Sequence, residues 1–338
     1  MAPKQILIAG GGISGLCSAL ALSKEVPDVR ITIFERHPVP STSGGAISLS
    51  PVALRHLDYL GVLTQLDDLG CEAGVEVDAI EIFSVRSGKS LGSLDFVGRQ
   101  RLGYAAPMDC RRYKGRRVMR INLTLAIMAA IDKLENVRIV FGMKLVGCKK
   151  IESDRIAIQF QDGSMATGDL LLGCDGVHSA TRTTVVDPGA QAEYSGFSLV
   201  QTTMPVTSLR SSVHFRSASL NVSRQGSLLM SFCDQHRRDL FLSAMVECRE
   251  DAVTDHQVDR WSRQDPHRQA LISDSLRHEV LDRFGTSSIP AVREAVQRTE
   301  VDWLLYPIYQ IPPGGRWYSD RAILLGDAAH AVSGIPRM

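Results

Sequence analysis

The segment Gly10-Gly11-Gly12-Ile13-Ser14-Gly15 restricts the possible fold of this chain more than any other feature. It follows the apolar run Ile6-Leu7-Ile8-Ala9 and precedes Leu16 to Leu22, where alanines and leucines recur at helical spacing. A second apolar run, Val29 to Phe34, is rich in β-branched residues. Strand, glycine turn, helix, strand is the opening of a parallel βαβ unit. In G-x-G-x-x-G spacing, Gly10 permits the tight turn, Gly12 lets backbone approach a pyrophosphate, and Gly15 lets helix and strand pack closely. The helix N-terminus adds unpaired N–H groups and the positive end of a dipole. Glu35 closes the second strand 20 residues beyond Gly15, where a carboxylate accepts hydrogen bonds from ribose hydroxyls. That carboxylate also disfavours a 2′-phosphate.

With 338 residues, 44% hydrophobic, the chain suffices for two domains and a sizeable core. A net charge of +1 lacks the basic excess of a nucleic-acid binder. The cysteines (Cys17, Cys71, Cys110, Cys148, Cys174, Cys233, Cys248) show no C-x-x-C spacing and are odd in number. They read as free thiols in a reducing compartment, with neither a disulfide framework nor a metal site. The apolar run before Gly10 is too short for a secretory segment. No stretch approaches the roughly 18–20 apolar residues of a membrane span, so the expected location is the cytosol.

Beyond the opening unit, a turn at Ser50-Pro51 leads into a helix-like stretch ending at Gly61. Short β-like runs (Ala79 to Val85, Leu91 to Phe96) suggest a sheet away from the first domain. Residues 118–134 read as an amphipathic helix with Leu123, Ile127, Ala130, Ile131 and Leu134 on one face. Strands follow at Val137–Phe141, Ile156–Phe160 and Leu170–Cys174, and residues 190–250 alternate as β structure. Residues 255–300 read as helical, anchored by Trp261, Leu271, Leu276, Val280, Leu281 and Phe284. Ala322–Leu325 is an apolar strand running into Gly326-Asp327.

Two further segments carry a family resemblance. Asp169-Leu170-Leu171-Leu172-Gly173-Cys174-Asp175-Gly176-Val177-His178-Ser179-Ala180-Thr181-Arg182 resembles the Asp-Gly motif of group A flavoprotein monooxygenases. Leu324-Leu325-Gly326-Asp327-Ala328-Ala329-His330 resembles their Gly-Asp motif. With the glycine turn, these are the three fingerprints of the para-hydroxybenzoate hydroxylase fold, in family order. The resemblance spans nearly the whole chain and is nearest in character to salicylate-hydroxylase-like fungal enzymes of secondary metabolism. It implies an α/β chain: a Rossmann-like FAD-binding domain (1–72, 116–188 and 305–338) interrupted by a β-rich substrate domain (73–115 and 189–304).

What the resemblance implies for the site can be assigned residue by residue. Gly10, Gly12, Gly15 and Glu35 would bind FAD, and Asp327 would hold its ribityl chain. Gly44-Gly45-Ala46-Ile47-Ser48-Leu49 resembles the loop that passes the flavin, with Ala46 touching it. Arg120, at the start of a helix, would contact FAD. Asp175 would serve both FAD and NAD(P)H through a network including Arg182. The implied reaction is hydroxylation of a phenolic or polyketide-like aromatic. NAD(P)H reduces the flavin, O2 adds at its C4a carbon, and the hydroperoxide attacks the ring, so the cofactor carries the hard chemistry. His330 is read as structural. The Trp-x-Trp-x-Ile-Pro segment of halogenases of this fold is absent.

The sequence also departs from the family. Related phenol hydroxylases place an Arg in the strand after a Tyr-x-Gly turn and a Tyr on a later strand. Here Tyr194-Ser195-Gly196 leads to Gln201 near the Arg position, and Phe232 lies near the Tyr position. Arg210, His214 and Arg216 are the alternatives, and no substrate-activating residue is assigned. The run Arg111-Arg112-Tyr113-Lys114-Gly115-Arg116-Arg117 reads as a solvated loop. After the Gly-Asp motif the family continues with a Pro and a Gly-Gln-Gly-like loop opening a long helix. Gly334 stands at the Pro position and the sequence stops at Met338, so a C-terminally truncated enzyme, or a catalytically impaired FAD-binding remnant, is the expectation.

Overall fold

The computed structural model describes residues 4–26, 28–42, 44–96, 113–151, 155–248 and 266–332, with side chains of 266–272 outside the description. Strands β1 (Gln5–Ala9), β2 (Arg30–Phe34), β8 (Val137–Val140), β12 (Leu170–Gly173), β18 (Tyr318–Ser319) and β19 (Ala322–Leu324) form one sheet. Its order is β18-β19-β12-β1-β2-β8, parallel except for the β18–β19 pair. Helix α1 (Ile13–Glu25) connects β1 to β2, as the glycine spacing requires. Ile6, Ile8, Ile31 and Ile33 pack towards α1 and α4 (Arg120–Ile131), while Leu7, Ala9 and Leu171 pack on the opposite face. Burial on both faces explains why these strands read as unbroken apolar runs rather than alternating ones.

Strand order reverses at β1: β2 and β8 lie on one side, β12 and β19 on the other. Turns leaving the C-terminal ends of β1, β12 and β19 therefore meet at one edge, the place where open α/β sheets bind ligands. The far face is closed by the antiparallel meander β9 (Leu145–Ile151), β10 (Arg155–Phe160) and β11 (Met165–Gly168). Helix α2 (Pro51–Tyr59) begins as expected, with Ser50 Oγ accepting from Ala53 N at 3.2 Å and Pro51 in the first turn. It leads into α3 (Val62–Asp67). Helix α4 starts later than its periodicity suggests, because Val118 and Met119 pair as strand with Ile47 and Ala46.

The second body is a sheet of seven strands. They run β17 (Leu304–Gln310), β13 (Glu193–Pro205), β16 (Asp239–Glu247), β15 (Gly226–Phe232), β14 (Ala218–Ser223), β5 (Ala79–Ser84), β6 (Ser90–Asp95). One face buries Val200, Leu228, Met230, Leu242 and Ala244 against helices α5 (Pro266–Phe284) and α6 (Pro290–Gln297) through Val280, Phe284, Val292 and Val296. Trp261 lies outside the described residues, so its expected anchoring role is not placed. Strand β17, expected with the nucleotide domain, instead extends the large sheet along β13. A third sheet, β3 (Ala46–Leu49), β7 (Gly115–Met119) and β4 (Val75–Val77), joins the two bodies. Among the described residues no helix is long and apolar enough to cross a membrane.

Candidate functional site

The glycine turn has the geometry its spacing predicts. Gly10 has φ +101, and a Cβ there would stand 2.3 Å from the Cys174 carbonyl oxygen. Gly10 N donates to Phe34 O and Cys174 N to Ala9 O, both at 2.8 Å, so the turn is held from β2 and β12 together. A Cβ on Gly15 would meet Gly10 O at 2.0 Å, which is the close helix–strand contact that excludes a side chain. Gly12 is different: a Cβ there meets nothing within 4 Å. It is exposed at the N-cap of α1, so the open space before it faces backbone N–H groups and a helix dipole suited to phosphate.

Glu35 follows β2 directly, and its side chain turns back onto the glycine loop. Oε2 accepts from Gly11 N at 2.7 Å and Oε1 from His37 N at 2.9 Å. Gly11, an unspecified position in the motif, therefore holds the Glu35 carboxylate in place. A Cβ there would crowd Glu35 at 3.0 Å and the carboxylate would lose its anchor. At the end of β12, the Asp175 carboxylate is engaged by its own turn. It accepts from Ser179 Oγ at 2.5 Å, Thr181 N at 2.9 Å and Thr181 Oγ1 at 3.1 Å. Asp175 thus caps and shapes this loop.

Arg182 is only 2% exposed and joins two motifs. It donates to Val177 O, to Ala190 O at 3.1 Å and to Ala328 O at 2.8 Å. The Gly-Asp turn after β19 is drawn in further by Gly326, at φ +60, whose Cβ would stand 2.8 Å from Ser14 Oγ on α1. Gly326 rather than Asp327 is the N-cap of α7 (Asp327–His330), and Asp327 stands exposed in its first turn. Glycine loop, Asp-Gly turn and Gly-Asp turn are thus in mutual contact at one sheet edge. His330 packs its ring 5.2 Å from that of Trp317.

Ala46 and Arg120 lie where β3, β7 and α4 meet. Arg120 N donates to Gly45 O at 2.8 Å, and a Cβ on Gly44 would stand 3.9 Å from the Arg120 guanidinium. Across from them is the helix-free face of the seven-stranded sheet, carrying Gln201, Ser243, Phe241 and Ser231 by register. A Cβ on Gly45 would strike the Phe241 ring at 2.1 Å. The Gln201 carbonyl accepts from Gly45 N at 3.2 Å, and its amide donates to Ser243 Oγ at 3.1 Å. Both ends of Gln201 are therefore used in tying the flavin-type loop to the sheet.

The substrate-side candidates separate. Phe232 is 3% exposed and packs against Phe215 in the helix-covered core, on the face opposite Gln201. The register thus takes it away from the Tyr role. His214 hydrogen-bonds Asn221 Oδ1 at 2.8 Å on that same covered side, and burial holds its pKa below the usual imidazole value. Arg216 lines an outer groove with Glu76, Asp78 and Lys114. Arg210 is exposed, and its backbone N donates to Glu294 at 2.7 Å. The basic run is not a solvated loop where it is described: Arg116 pairs with Asp67 at 2.6 Å, and Arg117 is buried on β7. Arg111 and Arg112 lie outside the described residues.

A mostly parallel sheet with three glycine- and aspartate-bearing turns at one edge, beside a large β-sheet, is the arrangement of a dinucleotide-binding fold. A family model described as FAD binding domain matches residues 4–335, and the chain belongs to that family and binds FAD. It is 27% identical over 346 residues to an FAD-dependent monooxygenase of Aspergillus terreus, covering 98% of this chain and 73% of that protein. It is 30% identical over 205 residues to 3-amino-4-hydroxybenzoate 2-monooxygenase of Streptomyces cremeus, covering 60% of this chain and 47% of that one. Klebsiella pneumoniae HpxO, solved with FAD and uric acid, superposes with a TM-score of 0.72 at 20% identity, over 97% of this chain and 73% of that one. That likeness establishes the para-hydroxybenzoate hydroxylase type of fold.

Proposed function

We propose that this protein is an FAD-dependent monooxygenase that uses NAD(P)H and O2 to hydroxylate a phenolic or polyketide-like aromatic substrate. We further propose that it is of the salicylate-hydroxylase-like fungal type. The observation that carries the reading is the meeting of Gly12, Glu35 and Asp327 at one sheet edge, with Ala46 and Arg120 leading from it to the polar inner face of the large sheet. The residues present fit FAD. The Gly10–Gly15 turn takes the pyrophosphate, Glu35 a ribose, Asp327 the ribityl chain, and Ala46 with Arg120 the ring end. Bound FAD supplies the redox chemistry, taking hydride from NAD(P)H and activating O2. The protein's share is to orient the ring, exclude water and hold the site together. Asp175 contributes through the turn it caps, and Arg182 through the motifs it joins.

In this reading residues 1–72, 116–188 and the segment after β17 bind FAD, and the large sheet with its helices binds substrate. The free-thiol usage supports a reducing compartment such as the cytosol. The test is the visible spectrum of the purified protein, followed by NAD(P)H oxidation with a panel of phenols. Flavin bands, with NAD(P)H consumed in step with hydroxylated product, support the reading. A protein that stays colourless after incubation with FAD, or oxidation without product, removes it.

A further inference from the structure

Arg117 is 5% exposed, and its guanidinium sits in the seam between β7 and the inner face of the seven-stranded sheet. Nε donates to Ser231 Oγ at 3.1 Å and a terminal nitrogen to Ser48 Oγ at 2.8 Å. Its carbon centre lies 5.1 Å from the centroid of the Phe241 ring, the ring that packs on Gly45. Every one of these partners is neutral. Among the described residues no carboxylate pairs with Arg117. Burial depresses its pKa, opposed only by the neighbouring Cys233 thiol. An arginine nevertheless stays charged, and a buried charge is costly unless an anion compensates it. Gln201, on the same inner face, has both amide ends engaged within the protein.

We propose that Arg117 is the substrate-orienting cation of this enzyme. It receives an anionic oxygen, carboxylate or phenolate, of an aromatic substrate bound beside Phe241 at the inner sheet face. Ser48 and Ser231 hold the guanidinium plane in place for a charge-assisted, fork-like contact. The proposal rests on the hydroxylase reading and adds its substrate class: an acidic aromatic, held from the β7 side of the seam and not from β13.

The experiment titrates the FAD-loaded protein with salicylate and with its uncharged counterpart salicylamide, near neutral pH, following perturbation of the flavin spectrum. The wild type is expected to bind the anion about tenfold tighter or more, as one charge-assisted hydrogen bond provides. Arg117→Met should keep its flavin and lose that preference, while Arg117→Lys should keep part of it. Equal affinities in the wild type overturn the proposal with no variant needed, so it remains falsifiable if Arg117→Met does not fold. A preference that survives in Arg117→Met also overturns it. So does a shift in flavin potential with the preference unchanged, which would make the flavin itself the anion served. If no member of a wider panel of phenols and aromatic acids perturbs the flavin, the hydroxylase reading falls and takes the proposal with it.

Discussion

At the scale of single residues, Gly12 and Gly15 separate ligand geometry from fold geometry. A methyl group on Gly15 must displace the Gly10 carbonyl at 2.0 Å, so Gly15→Ala is expected to cost more than about 2 kcal/mol and to abolish flavin retention. Gly12 has φ −76 and open space around it. Gly12→Ala should therefore unfold within about 1 kcal/mol of the wild type yet retain much less FAD. Urea denaturation and the visible spectrum of the same preparations check both. His214 makes a different prediction. Its Nε2 bonds Asn221 while Nδ1 is buried without a partner, and burial lowers its pKa. Above about pH 6.5 the ring is neutral in both states and contributes nothing. As pH falls below that value the unfolded chain takes up a proton that the folded chain resists, so stability declines until the folded pKa is passed. Between pH 7.5 and 5.5 the urea midpoint of His214→Gln should fall less than that of the wild type.

At the scale of elements, the three turns work only as a set, and Arg182 holds two of them. Its donors satisfy carbonyls of Val177, Ala190 and Ala328, on both sides of the β12–β19 pair. Arg182→Met leaves these buried and half-buried acceptors without partners and should cost on the order of 2–4 kcal/mol, with a parallel loss of FAD affinity. Arg182→Lys should recover only part, because one ammonium cannot reach three divergent carbonyls. Denaturation and flavin titration of both variants test this; an Arg182→Met protein as stable as the wild type would remove the tethering role. Element boundaries were legible where a local signal marked them. Ser50-Pro51 announces α2, and the glycine turn announces β1 and α1. The start of α4 was not legible, because Val118 and Met119 are apolar enough for a helix and are claimed by β3 only through long-range pairing. Strands β9 and β11 were missed because Gly147, Lys149, Lys150, Thr167 and Gly168 break their apolar runs.

At the scale of the whole molecule, the proposed FAD site lies where β1, β12 and β19 end and α1 begins, so its occupancy would be linked to global stability. A ligand present at about 100 times its Kd adds about 2.7 kcal/mol, which for a chain of this size is a rise of several degrees in Tm. Thermal melts of flavin-stripped protein with and without FAD should show that rise, and Gly12→Ala should show little of it. The seam between the two bodies is polar, made by Gln201, Arg117, Ser48 and Ser231 around Phe241. Charges and amides there find partners only because the third sheet brings β7 against the large one.

The glycine turn, the carboxylate that folds back on it, the two aspartate turns and FAD as the cofactor could be read from the sequence. Each is a short-range pattern whose chemistry needs particular residue types at fixed spacing: no Cβ at Gly10 and Gly15, a carboxylate at Glu35, small residues after Asp327. Other assignments were left to the tertiary structure. It placed Phe232 on the covered face and Gln201 on the open one, which a reading of alternation alone cannot orient because the two faces differ only in what packs against them. It also turned Arg117 from a member of a basic run into a buried cation. Burial and missing counter-charge are properties of residues far apart in the chain, here 48, 117, 231 and 241, and no local pattern encodes them.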